Sequence, residues 1–334
     1  MTALLVAASV WVACSSPEQP VVPQKTQTQT PSGSATSGPT VVDNEADWPA
    51  GFIPVTYAPG VFNSCGLESI SEESVWLLDC SGLVVIVNDG QSSTLELPGA
   101  IAASDGILLR QGGAVDAVDI LLTADSNDQQ GELLTYDVMA TEVLRTLAIG
   151  SGWPTAGAVI GRRSVVSTLN GRIVEIRGGS ASALVEGLDP LIAIAASRDT
   201  VWGVSETGTV TVLPEGKAVR LPSNVKPAAA LAVGESVWVA TTDSGLFRVG
   251  RSGARSLHVP GGINTLVRCS DGVWIAQQRL GATFGSRPGL RRLDPSGRIL
   301  DTIPMPDGPN GLSCFGQSLW IHTERGTLLR RMSG

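Results

Sequence analysis

Three observations predict an all-β fold: a recurring phrase of two apolar runs, a glycine at a set place within it, and the absence of helical periodicity. The phrase is plainest in SVWVATTDSGLFRVGRSG (236 to 253), where an apolar run, a polar turn and a second apolar run end at glycine. TVWGVSETGTVTVLPEG is a nearby version, and GVWIA and SLWIH open two later ones. Aligned on the apolar centre, the copies fall at Trp76, Ile120, Val165, Trp202, Trp238, Trp274 and Trp320, at intervals of 44, 45, 37, 36, 36 and 46. Each is followed by a glycine and another run: GLVVIV at 82, GELLTYDV at 131, GRIVEI at 171, GTVTVL at 208, GLFRVG at 245, GLRRLD at 289 and GTLLRR at 326. The runs are rich in Val, Ile, Leu and Thr and separated by Gly, Asp, Ser or Pro, which is strand-and-turn chemistry. No segment sustains a 3.6-residue apolar period with helix caps.

A period near 40 residues with about four strands per copy is the signature of a β-propeller, whose blades bury their faces only against one another. Seven copies predict seven blades. The seventh runs out after its third strand, while FIPVTYAPG (52 to 60) precedes the first copy and has no blade of its own. This N-terminal strand is expected to take the missing outer place, closing the ring and removing an edge open to foreign pairing. In each VW pair the β-branched residue and the large aromatic point to opposite faces of a strand. The Trp residues are therefore expected to pack between blades.

These residues resemble bacterial propellers of the NHL-repeat, YncE-like and streptogramin-lyase-like groups, whose blades read glycine, apolar residue, Trp, apolar residue and a glycine hairpin. The resemblance covers about residues 52 to 334 and rests on packing and turn residues, so it implies the fold. Its members range from enzymes to binding and sensor domains.

Ahead of the propeller the chain reads differently. MTALLVAASVWVAC (1 to 14) is apolar until Cys14 and too short to span a bilayer as a helix. It resembles a secretory signal with a bacterial lipoprotein box, which implies lipidation of Cys14 and anchoring at the extracytoplasmic face of the bacterial cell membrane. Residues 15 to 47 contain no aromatic residue and are crowded with Pro, Ser, Thr, Gln and Gly. Such a linker cannot bury enough to offset its ordering entropy, and its root-mean-square reach is on the order of 30 Å. The expected organisation is a signal peptide over 1 to 14, a disordered linker over 15 to 47 and a propeller over 48 to 334.

Export puts disulfides in prospect, and Cys65, Cys80, Cys269 and Cys314 remain once Cys14 is set aside. Folding the first hairpin about Glu72 to Ser74 sets Cys65 opposite position 80 or 81. Cys269 lies five residues before Trp274 and Cys314 six before Trp320, which places both on the inner strands of adjacent blades. CxxC spacing is absent, so a zinc cluster is not expected.

The 31 acidic residues outnumber the 23 Lys and Arg, giving a net charge of −8, and no basic run is able to neutralise a row of phosphates. Nucleic acid is thereby excluded as a partner. Only two histidines occur, His258 and His322, in neither HxH nor HExxH spacing, and no GxSxG or P-loop appears. No residue is assigned a catalytic role. The turns after the second strands carry Asp79, Asp125, Asp128, Glu206, Asp243 and Glu324, an acidic rim that also fits ordinary turn formation. Asn264 and Asn310, each ten residues before its Trp, and Asn224 sit in blade connections near the axis. The longest insertion, QQRLGATFGSRPG (277 to 289), offers Arg279, Phe284 and Arg287 as a binding anchor on a rigid scaffold.

The sequence thus points to a lipid-anchored binding or scaffolding propeller that recognises an envelope protein or small ligand on its loop-bearing face. No cofactor is expected for that role. The alternative is a metal-dependent hydrolase of the lactonase type or a lyase of the streptogramin type, in which Asn264, Asn310 and an acid would hold calcium or magnesium at the axis.

Overall fold

The structure is a computed structural model that describes residues 47–57, 64–79, 83–97, 107–111, 117–123, 130–137, 143–161, 163–197, 200–280 and 287–332. Cys14, Cys80, Asp125, Asp128 and Phe284 lie outside the described residues, as do the signal segment and the linker up to 46.

A lone strand, β1 (Phe52–Val55), comes first. The next sheet is β2 (Ser64–Ser69), β3 (Ser74–Asp79), β4 (Leu83–Asn88) and β5 (Gln91–Glu96). It is followed by β6 (Ile107–Gln111), β7 (Ala117–Thr123), β8 (Gln130–Asp137) and β9 (Val143–Ser151), then by β10 (Pro154–Ile160), β11 (Arg163–Thr168), β12 (Ile173–Arg177) and β13 (Ser180–Val185). The fourth set is β14 (Leu191–Ser197), β15 (Thr200–Ser205), β16 (Thr209–Leu213) and β17 (Lys217–Arg220). The fifth is β18 (Pro227–Val233), β19 (Ser236–Thr241), β20 (Gly245–Gly250) and β21 (Gly253–Ser256). The sixth is β22 (Thr265–Cys269), β23 (Gly272–Gln277), β24 (Gly289–Leu293) and β25 (Ile299–Pro304). Three strands end the chain: β26 (Pro309–Phe315), β27 (Ser318–Thr323) and β28 (Leu328–Met332).

Among the described residues these strands form seven four-stranded antiparallel sheets, six of which are blades of four consecutive strands. The remaining sheet has the order β1-β28-β27-β26 and is built from both ends of the chain. The expectation of a seven-bladed propeller is corrected accordingly: the chain forms six blades, and its two ends combine in a composite sheet. The composite forms because β28 would otherwise be an open edge; Phe52 pairs with Arg331 and Val55 with Leu328.

First strands touch first strands in a closed circuit: β2 meets β6, β6 meets β10, and so on through β14, β18, β22 and β26 back to β2. Between neighbouring sheets lies an apolar layer. Trp76 and Leu78 pack with Val118 and Tyr136, Trp202 with Val237 and Val239, and Trp238 with Val273 and Ile275. Trp274 packs with Leu319 and Ile321, and Trp320 closes the circle against Val75 and Leu77. Each second-strand Trp faces the sheet that follows its own, and the preceding Val or Leu faces the sheet behind. A second strand is thus covered on both sides, and β19 and β27 are buried at every position, whereas outermost β17 is exposed at all but one. That two-sided cover explains why VW marks the second strand.

The second copy departs from this rule. Ile120 shares its layer with Trp76, so it faces the preceding sheet rather than the following one. β7 has seven residues against six in β3 and β19, and its apolar centre is the fourth position instead of the third. With a side-chain period of two, one residue reverses the face. Ile120 therefore marks the right strand in the wrong phase.

Cys269 and Cys314 form a disulfide with Cα atoms 5.6 Å apart, joining β22 to β26 across neighbouring sheets. Cys65 falls within β2, at a bulge between the pairs Ser64–Asp79 and Gly66–Leu78.

A polar contact locks the composite sheet to its neighbour. The Asp271 carboxylate accepts the Trp274 Nε1–H at 2.9 Å and lies 3.3 Å from Arg292 and 3.5 Å from Arg331. Arg331, on β28, also stacks over the Trp274 ring at 4.6 Å. Removing the carboxylate strands the Arg331 guanidinium and the Trp274 indole N–H, while Arg292 keeps Asp301. Asp271→Ala is expected to cost about 2 kcal/mol of unfolding free energy, read as a lower urea midpoint at unchanged m-value.

Candidate functional site

Among the described residues, one face of the ring carries the turns after the second strands and the connections between sheets; the other carries the first-to-second and third-to-fourth hairpins. The described ends of the long insertion, 277–280 and 287–289, lie on the first face, between β23 and β24. Its base is tied at several points. Arg291, on β24, is 4% exposed, and burial pushes its guanidinium below its usual pKa. It donates to the Pro260 carbonyl at 3.0 Å, to Gln277 Oε1 at 2.5 Å and to the Leu280 carbonyl at 2.6 Å. Gln277 donates in turn to Pro260 at 2.7 Å, and Leu280 N–H bonds the Arg287 carbonyl at 2.8 Å. Two backbone carbonyls and an amide oxygen thus take the place of a carboxylate partner. Arg279 and Arg287 stand exposed on either side of this base.

The other residues singled out in the sequence are spread over this face. Asn264, just before β22, uses its N–H on the Ala276 carbonyl at 3.0 Å. Asn310 is exposed at the second position of β26, and Asn224 sits in a turn with φ of 73°. No hydrogen bond joins Asn264 or Asn310 to an acid among the described residues, and no group of three or more His, Cys, Asp and Glu there has metal-binding geometry.

The described acids of the rim do not share one role. Asp243 accepts from Ser244 Oγ at 3.0 Å, Glu324 accepts from the Gln278 amide of the neighbouring sheet, and Glu206 is exposed. Asp79 ends β3. His258 is exposed beyond β21, whereas His322 is buried within β27, its Nε2 3.3 Å from the Tyr57 hydroxyl. The two histidines thus belong to different sheets and environments.

The opposite face holds a feature that the sequence reading missed. An open groove of about 1360 Å³ runs from the inner strands β14, β18 and β22 outward to the β20–β21 hairpin. Arg248, Arg251, Arg255 and Arg268 line it. These arginines are separated in the sequence by strand residues, so no basic run announces them. A spacing signal does exist for one: Arg248 and Arg330 each follow their Trp by ten residues and pair directly across from it, as Arg292 does from Trp274.

The architecture defines a β-propeller with the clamped base of an insertion on one face and a cationic groove on the other. No family model matches the chain, and no curated protein matches it. Solved structures do. A catalytically inactive virginiamycin B lyase from Staphylococcus aureus with quinupristin has TM-score 0.65 at 14% identity, covering 84% of this chain and 98% of that one. The RRP9 WD40 repeats have TM-score 0.64 at 12% identity, covering 86% and 99%. YCF48 bound to D1 peptide has TM-score 0.61 at 16% identity, covering 85% and 97%. At these identities the likeness establishes the propeller fold alone, which a lyase, a set of WD40 repeats and a peptide-bound protein share.

Proposed function

We propose that the protein is a lipid-anchored extracytoplasmic binding or scaffolding propeller that recognises a protein partner through its loop-bearing face. The observation that carries this reading is the clamped base of the insertion. Arg291 spends a buried cation on holding Pro260, Gln277 and Leu280 in place, so Arg279 and Arg287 project from a pre-organised platform and lose little freedom on binding. The similar fold of YCF48, bound to D1 peptide, supports this reading. The lipobox-like run ending at Cys14 and the linker behind it supply the anchor and the reach.

Capture from the native cell envelope with the full-length protein tests the reading. A specific partner should be retained by the wild type and reduced about tenfold by Arg279→Ala/Arg287→Ala, a loss typical of two interface anchors. Undiminished capture would remove recognition from this loop. Cys14→Ser should release the protein from the membrane fraction, and continued membrane association would refute the lipid anchor.

A further inference from the structure

We propose that the arginine-lined groove on the hairpin face is a second binding site, built for an extended acidic segment of a partner protein. The inference goes beyond the loop-face reading and uses none of its residues.

Arg248 and Arg255 are direct cross-strand partners on β20 and β21. Like charges in that position repel, and no carboxylate among the described residues pairs with Arg248, Arg255 or Arg268. Arg248 donates its Nε–H to Ser236 Oγ at 2.9 Å, which aims the guanidinium without neutralising it. A chain with net charge −8 has thus gathered uncompensated cations in one groove. An anion placed between them would turn repulsion into paired attraction.

The groove itself indicates which anion. At its rim Arg251 grips the Glu215 carboxylate with both terminal nitrogens, one on each oxygen, the second at 2.8 Å. That is the planar fork by which arginine recognises carboxylates. Glu235 also lines the groove and acts on Arg251, so carboxylates already stand among these arginines.

The shape fits a peptide. The volume exceeds that of ordinary small-molecule pockets, roughly 300–1,000 Å³. Gly234, Gly250 and Gly253 line the groove, and a Cβ at any of them would meet nothing within 4 Å. Their bare backbone lets an extended chain lie close and use main-chain hydrogen bonds.

The test uses the full-length protein and fluorescein-labelled hexaglutamate, followed by fluorescence anisotropy, with hexaglutamine as the uncharged control. Hexaglutamate should bind saturably, weaken about tenfold between low and physiological salt, and leave hexaglutamine unbound. Two variants probe the site by independent routes. Arg255→Glu/Arg268→Glu reverses two exposed charges, and Gly250→Tyr fills open space at a backbone position free of the left-handed region. Each should weaken hexaglutamate binding at least about tenfold at an unchanged melting temperature, while Arg279→Ala/Arg287→Ala should leave it intact. No saturable binding, or binding unaffected by both groove variants, would overturn the proposal. Tighter capture of inorganic polyphosphate or phosphatidylglycerol vesicles through the same arginines would overturn it too, because the ligand would then be phosphate rather than a protein segment.

Discussion

Replacing both Cys269 and Cys314 with serine is expected to lower the unfolding free energy by about 4 kcal/mol, the chain-entropy value for a loop of this length. The bridge spans 45 residues and links β22 to β26, so it ties the last contiguous blade to the composite sheet. In the unfolded chain it forbids the separation of those segments. In the folded chain it pins two inner strands at the place where the ring must close. Urea denaturation of the double variant measures the effect, and a midpoint equal to that of the wild type would show that the bridge adds nothing to closure.

Gly245→Ala should cost about 3 kcal/mol or more, summing left-handed backbone strain with overpacking. Gly245 opens β20 with φ of +86°, and a Cβ there would come within 2.0 Å of the Val259 carbonyl oxygen. The obstacle is backbone and cannot rotate away. Val259 belongs to the connection leading into β22, where Ile263 N–H bonds the Thr241 carbonyl at 2.8 Å. Gly216→Ala provides the comparison: its φ is +72°, yet nothing lies within 4 Å, so the backbone term of about 1–2 kcal/mol should appear alone. Equal losses in the two variants, read from urea midpoints, would rule out the close approach as a cause.

That glycine also shows how far the primary structure speaks for itself. Its recurrence after each polar turn was legible as a landmark, but the reason at Gly245 lies in the connection pressed against the turn. Trp238 and Trp320 were likewise legible as packing residues, because alternation puts Val237 and Leu319 on the opposite face. Ile120 was misread by one position, since a strand that is apolar over both faces carries no internal mark of phase. Cys269 and Cys314 could be placed on inner strands by counting back from Trp274 and Trp320, and the bridge between them follows that arithmetic.

The two faces differ in the same respect. Arg279 and Arg287 were visible because an insertion interrupts the repeat, whereas the part of Arg291 was not. An arginine on a strand reads as solvent-facing until its burial against Pro260, Gln277 and Leu280 is known. The groove arginines were hidden more thoroughly. Arg248, Arg255 and Arg268 belong to three strands of two sheets, and only the antiparallel register of β20 with β21 and the seating of β22 beside β18 bring them together.

By itself the order of residues determined the strands, their repeat, the second-strand role of the Trp residues and the use of an early segment to complete the last sheet. All of these follow from local alternation, turn chemistry and spacing, which act over a few residues at a time. Tertiary structure alone decided which faces meet, where a buried arginine becomes a clamp, and where scattered cations converge into a groove. Those outcomes depend on contacts between residues far apart in the chain, and linear spacing does not encode which side of a sheet each of them will reach.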